Sequence, residues 1–299
     1  MDAAVSVRRT RRRRWSRWRP YIYVLPALTL LFIVYVVPML DAVRYSFTNK
    51  TLLGAGTWIG LKNYISLVNP DFGMVLARTL IWLLVSVAGS MILGIAMAIV
   101  VDKPIWGRSL FRVLFALPWV FPDAIAAIMW KFTLNPGWGL LNSLLESLGI
   151  VKEPITLLSP GLALWTVIAI RIWKGAPFIF LVVLAGLQAI PKEVEEAAFV
   201  DGANAWQRLM HIKLPMLAPV LWTAGIILAA WTMVIFDLIF VLTGGGPLKA
   251  TKILSIAIYD AGFYDGKIGL ASALSVVAIG LVSGFSYFYV RRESNGASG

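Results

Sequence analysis

Residues 195–215 read EEAAFVDGANAWQRLMHIKLP, a polar stretch set between two long apolar runs. A plain connection between membrane helices needs only a turn, yet residues 191–215 all lie outside the flanking runs. The chain around them has 299 residues, 59% of them hydrophobic and 14% charged, with a mean hydropathy of +0.80. Soluble domains are roughly 45–50% apolar and about 25% charged, so this is the composition of a polytopic membrane protein. Zero cysteines exclude disulfides, thiolate chemistry and Cys-based zinc or iron–sulfur centres. The net charge of +12 does not point to nucleic acid, because eight arginines crowd into residues 8–19, directly before the first apolar run. There they read as a topology and lipid-headgroup signal.

A membrane-crossing helix needs roughly 20 mostly apolar residues. Six runs qualify, at about 20–43, 78–101, 110–131, 161–187, 216–242 and 268–290. Runs of this length favour helices over barrel strands, whose alternating segments are about ten residues long. The first run lacks an A-x-A-like cleavage site and exceeds the roughly 7–15 residues of a signal h-region, so an uncleaved helix is expected. Pro26, Pro38, Pro118, Pro122 and Pro177 fall inside runs and predict kinks. GLVSG at 280–284 is a small-xxx-small pattern that predicts close helix packing. With the N-terminus inside, sixteen Lys and Arg lie in cytoplasmic segments and seven in outer ones, which places both termini and the polar insert in the cytoplasm. The chain then divides into a basic tail (1–19), the first helix with an outer loop (20–77), a five-helix core (78–290) and a C-terminal tail (291–299).

Within the insert, Pro191 suits the first turn of a helix, and Glu193, Glu195 and Glu196 follow where the helix dipole favours carboxylates. Val194, Ala197 and Ala198 share one face. Asp201-Gly202 stops the helix, with Gly202 free to turn left-handed. Asn204 with Gln207 makes a capping box for a second helix, Trp206, Leu209 and Met210 form its apolar stripe, and Pro215 opens the next membrane helix. An amphipathic segment resting on lipid accounts for Trp206 and Arg208. The small pair Ala197-Ala198 beside Glu196 suits close approach of another protein surface instead, and the residues alone leave both readings open.

Glu196-Ala197-Ala198, three residues, Gly202, nine residues, then Ile212-Lys213-Leu214-Pro215 resembles the EAA signature of ABC importer permeases. The resemblance implies an all-α, six-helix, MetI/MalF-like permease in which this loop is the coupling helix that docks into a cleft on a separate ATPase. Glu196, Ala197, Ala198, Asp201, Gly202, Ile212, Leu214 and Pro215 then carry the coupling. LPALTLLFIVYVVPMLDAVRYSFTN with WIGLKNYISLV, LPWVFPDAIAAIMWKFTLNPGWGLLN, WKGAPF and FDLIFVLTGGGP are similar to the sugar-permease branch, which includes maltose-type and glycerol-phosphate permeases. Maltose-type members can carry extra N-terminal helices and a large outer domain, both absent here. The implied partners are a homologous permease subunit in a heterodimer, two copies of the ATPase, an extracytoplasmic solute-binding protein, membrane lipid and a sugar, with no nucleic acid. The implied location is the cytoplasmic membrane.

No G-x-x-x-x-G-K-[ST] loop occurs, so ATP and magnesium are expected on the partner, no cofactor on this chain, and no enzymatic activity of its own. The single histidine, His211, reads as a surface or packing residue. Arg171 and Lys174 lie near the middle of the fourth run, where each charge costs roughly 2.5–3.5 kcal/mol on translocon scales. Asp237 lies on the fifth run. A bridge from Arg171 and Lys174 to Asp237 and a hydrated cavity lined by the three are compatible expectations. For the sugar that the resemblance implies, Trp173, Trp231 and Phe236 are the candidate stacking surfaces, beside Arg171, Lys174 and Asp237. The rival classes are a non-sugar ABC permease, an ion-coupled secondary transporter, which would need embedded carboxylates, and a non-transporting scaffold.

Overall fold

The computed structural model describes residue 21 and residues 23–104 and 106–296; the arginines at 8–19 lie outside them. Among the described residues every regular element is helical, apart from an isolated bridge between Thr48 and Trp58. The chain forms two compact units, Met1–Ser66 with Ala261–Val276, and Leu67–Asp260 with Val277–Gly299.

In the first unit, α1 (Tyr23–Ser46) is long and apolar enough to cross a membrane, and none of its apolar window is buried within the chain. Its turn at Phe32–Val36 widens to a π-helix just ahead of Pro38. Proline has no N–H and its ring crowds the carbonyl four residues back, so a wider turn relieves the clash. The G-x-x-N-Y segment (Gly60, Asn63, Tyr64), which leads into α2 (Lys62–Ser66), fastens the end of α1. The Asn63 amide donates to the Ser46 and Thr48 carbonyls, both at 2.8 Å, and the Tyr64 hydroxyl to Ser46 Oγ at 2.7 Å.

The second unit is organised around α7 (Ala163–Ala189), most of whose apolar stretch is buried. Its main neighbour is the 33-residue α3 (Pro70–Asp102). The start of α3 at Pro70, ahead of the expected 78, follows from Asn69, whose side chain accepts from the Phe72 amide at 2.8 Å, with Pro70 and Asp71 in the first turn. Ser86, Ser90, Gly94 and Ala98 recur every fourth residue and are all buried. This small ridge lets the two backbones approach. A Cβ on Gly94 would lie 2.7 Å from the Ala176 carbonyl oxygen, and one on Gly175 only 2.6 Å from Ser90 Oγ. Within the described chain the closest helix packing falls here. A Cβ on Gly280 or Gly284 would meet no described atom within 4 Å.

The third apolar run is broken. α4 (Arg108–Val120) and α5 (Asp123–Thr133) meet at 101°. Pro122 disfavours α-helical backbone at Phe121, which is extended with ψ 136°. α6 (Leu140–Ser147) follows, then α7. After α7 come the short α8 (Lys192–Val200) and then α9 (Ala205–Val234), which is long and apolar enough to cross. The fifth run stops at Val234, short of the expected 242, and α10 (Asp237–Thr243) is a separate helix packed on α5. No proline or glycine lies at this break. Instead the Thr232 carbonyl accepts from the Trp82 indole N–H at 3.0 Å and the Ile235 carbonyl accepts from Ser255 Oγ at 3.0 Å. Side chains from elsewhere take the bonds that a continuing helix would have made. α11 (Leu254–Tyr259) and α12 (Ile268–Gly296) complete the described chain.

By length and composition α1, α3, α7 and α9 can each cross a membrane. The bent pair α4/α5 makes a fifth span if counted as one, and the apolar part of α12, Ile268–Gly284, is shorter. The expectation of six continuous runs thus meets a third and a fifth that are interrupted.

Candidate functional site

Two places gather the polar groups of the second unit. The first is the insert. Pro191 precedes α8, and its end is a Schellman cap around Gly202 at φ +80°. The Gly202 amide donates to the Phe199 carbonyl and the Ala203 amide to the Ala198 carbonyl, both at 3.0 Å. Asn204 and Gln207 form the expected capping box, each side chain accepting from the other's amide at 2.9 and 2.8 Å. The second helix is not a separate rod, however. It runs unbroken through Pro215 to Val234 by way of a π turn at Leu209–Lys213, the same relief of proline crowding as before Pro38. A turn attached to α8 is therefore continuous with a membrane-length helix.

Ionic contacts fasten the insert at its base. The Lys213 ammonium lies 2.7 Å from Glu195 and 3.4 Å from Asp102 at the end of α3. Asp102 in turn lies 4.0 Å from Arg108, the first residue of α4, which donates to the Val101 carbonyl at 2.7 Å. Four helices meet through this chain. Away from it, Glu196, Ala197, Asp201 and Gly202 are exposed, Ala198 is buried, and Ile212 and Leu214 are half-buried with Pro215 exposed. Phe199, Val200 and Trp206 stand 71%, 83% and 65% exposed, so the insert presents an apolar face beside a carboxylate. The Arg208 guanidinium lies 5.6 Å from the centre of the Phe199 ring and donates to the Ala203 carbonyl at 2.7 Å. His211 Nδ1 lies 3.2 Å from the Gln207 carbonyl, one turn back on its own helix.

The second place is a cavity of about 270 Å³ beside the α4/α5 bend, lined by Trp119, Phe121, Pro122, Asp123, Arg171, Lys174, Trp231 and Ile235. Arg171 and Lys174 are 5% and 4% exposed. The expected bridge to Asp237 is absent among the described residues. Lys174 pairs instead with Asp123 at 2.9 Å and donates to the Phe121 carbonyl. Arg171 donates from Nη2 and Nε to Thr232 Oγ1 at 2.9 and 3.2 Å, and that hydroxyl donates to the Leu228 carbonyl. The break at Ile235 turns the chain away, leaving Asp237 exposed at the start of α10. Phe236 stacks on Phe240 at 4.7 Å and lies 4.9 Å from Tyr259, while Trp173 packs edge-on against Trp130 at 5.5 Å. Of the six expected residues, Arg171, Lys174 and Trp231 share the cavity, and Trp173, Phe236 and Asp237 do not line it. Asp123 was not among the expected residues. Its signal was an acidic residue directly after a proline inside an apolar run.

The profile described as "binding-protein-dependent transport system inner membrane component" matches residues 90–294. The chain is 34% identical over 275 residues to the trehalose/maltose transport system permease protein MalF of Thermococcus litoralis, covering 91% of this chain and 92% of that one. It is 36% identical to the probable ABC transporter permease protein y4oQ of Sinorhizobium fredii, covering 99% and 96%. To the sn-glycerol-3-phosphate transport system permease protein UgpA of Yersinia enterocolitica it is 32% identical, covering 92% and 93%. The fold is similar, at a TM-score of 0.80 and 24% identity over 95% of this chain and 99% of the other, to a crystal structure of a bacterial ABC transporter involved in import of the acidic polysaccharide alginate. The profile covers more than half of the chain and relatives 34% and 36% identical span 91% and 99% of it: this protein belongs to the family of binding-protein-dependent transport system inner membrane components.

Proposed function

We propose that this chain is the translocating subunit of an ATP-driven importer of a carbohydrate. The sugar assignment draws on the relatives named for trehalose/maltose and for glycerol-3-phosphate. In this reading the chain pairs with a homologous permease, receives solute from an extracytoplasmic binding protein, and takes its energy from two copies of a separate ATPase that hold the nucleotide and magnesium. Both termini and the insert lie in the cytoplasm.

One observation carries the reading. The insert exposes Glu196, Ala197, Phe199 and Val200 on a short helix whose base is tied by Lys213, Asp102 and Arg108 to α3, α4 and α9. A force applied to such a helix reaches three membrane-length or bent elements without a flexible linker to absorb it. Glu196, Ala197, Ala198, Asp201 and Gly202 form the docking part, and Ile212, Leu214 and Pro215 join it to α9. On the solute side, Arg171, Lys174 and Trp231 line the path, while Trp173, Phe236 and Asp237 serve packing and the α9/α10 break.

Because the chain has no cysteine, a single introduced thiol reports cleanly. Trp206→Cys is expected to react with a membrane-impermeant maleimide from the cytoplasmic side, and to be protected when the ATPase is bound. Labelling from the outer side, or equal labelling with and without the ATPase, would overturn the docking role.

A further inference from the structure

We propose that the cavity beside the α4/α5 bend binds a solute carrying an anionic group, a carboxylate or a phosphate ester, so that the substrate is an acidic carbohydrate. This rests on the carbohydrate reading above and narrows it. The charges lining the cavity do not cancel. Arg171 and Lys174 supply two positive charges, and Asp123 is the single carboxylate among the lining residues. Asp123 pairs with Lys174 at 2.9 Å and also acts electrostatically on Arg171, so one carboxylate faces two cations and the lining keeps a net positive charge. The Arg171 guanidinium has five N–H donors, and among the described residues its hydrogen bonds go only to Thr232 Oγ1. Thr232 is neutral, so it positions the guanidinium without compensating it.

A guanidinium that is 5% exposed and shares one carboxylate with Lys174 is costly in a membrane-embedded position. An incoming anion offsets that cost, and the planar fork of an arginine matches carboxylate and phosphate oxygens in pairs. The rest of the lining is compatible with a sugar ring: Trp119 and Trp231 both line the cavity and stay partly exposed while packing against Phe178. A volume of about 270 Å³ falls just below the roughly 300–1,000 Å³ of ligand pockets, which matches one ring with its charged substituent rather than an oligosaccharide.

The test measures binding by calorimetry on the assembled transporter in lipid nanodiscs, with methyl glucoside, glucuronic acid and glucose 6-phosphate as probes. Binding of glucuronic acid or glucose 6-phosphate at least tenfold tighter than methyl glucoside is expected. Preference for one acid or for both tells carboxylate from phosphate. Arg171→Gln should abolish the preference, and Asp123→Asn, which frees Lys174 and raises the cavity charge, should strengthen acid binding several-fold. Asp123→Asn keeps the proposal open to refutation should Arg171→Gln fail to assemble. Equal binding of the neutral and acidic sugars, unchanged by Asp123→Asn, overturns the anion assignment and leaves carbohydrate import standing. Binding of none of the three, by a complex that imports a non-sugar solute, overturns both.

Discussion

The insert and the cavity both concentrate charge, and they hold it in opposite ways. At the insert, Lys213, Asp102 and Arg108 side chains are 17%, 22% and 34% exposed and Glu195 39%. Their attractions are shared with water and salt and are worth about 0.2–1 kcal/mol each. At the cavity, Lys174 is 5% exposed in its side chain against 30% for Asp123, so solvent screens much less and the cost of losing a partner rises. In the first arrangement several individually weak bonds share the load of the insert among four helices. The second fixes cations on a helix that forms the centre of the unit. The difference teaches that charge count says little until burial is known.

The contrast can be broken most severely at the insert's surface. Glu196→Lys or Gly202→Asp should abolish ATP-driven uptake, a loss of at least tenfold, while the subunit still inserts. Uptake and co-purification of the ATPase measure it, and unchanged values for both variants would end the coupling role. At Gly202 nothing lies within 4 Å of an added Cβ, but φ +80° is a conformation that costs most side chains about 1–2 kcal/mol, and Asp adds a negative charge to the exposed turn.

Next in size is the packing that holds the cavity's helix. Gly94→Val should lower stability by about 1–3 kcal/mol through overpacking, because the added carbon meets the Ala176 backbone carbonyl at 2.7 Å. A thermal melt of the purified subunit reads it. Lys174→Met should destabilise by less than the roughly 3–5 kcal/mol of a broken, fully buried pair, since Asp123 keeps partial access to water. The double variant Lys174→Met with Asp123→Asn should recover part of the loss. A double variant worse than the single would show that the pair is not the unit of stability.

The smallest effect sharpens the comparison. Lys213→Ala should change stability by under about 1 kcal/mol, and the change should shrink further in high salt. The Lys174→Met effect should persist in the same salt. If both respond alike, the two regions do not differ in screening.

The insert was legible in one dimension because its instructions are local. Pro191, Gly202, and the Asn204/Gln207 pair each act within four residues, and the structure has the α8 helix, the Schellman cap and the capping box that those residues dictate. Continuity through Pro215 was not legible, since a π turn absorbs the proline and no residue announces it. The cavity was half legible. Arg171 and Lys174 stand out as charges in an apolar run, but their partners Thr232 and Asp123 lie on other helices.

Patterning along the chain was enough to establish a helical membrane protein, a capped polar insert and two cations in an apolar run, because hydrophobic length, capping and proline geometry all operate over a few residues. The fold in three dimensions settled where helices break and which charges meet. α9 ends at Val234 because Trp82, 150 positions away, takes the Thr232 carbonyl, and Lys174 finds Asp123 because a 101° bend brings the start of α5 to α7. A hydrogen bond or ion pair depends on distance in space, which spacing along a chain does not encode.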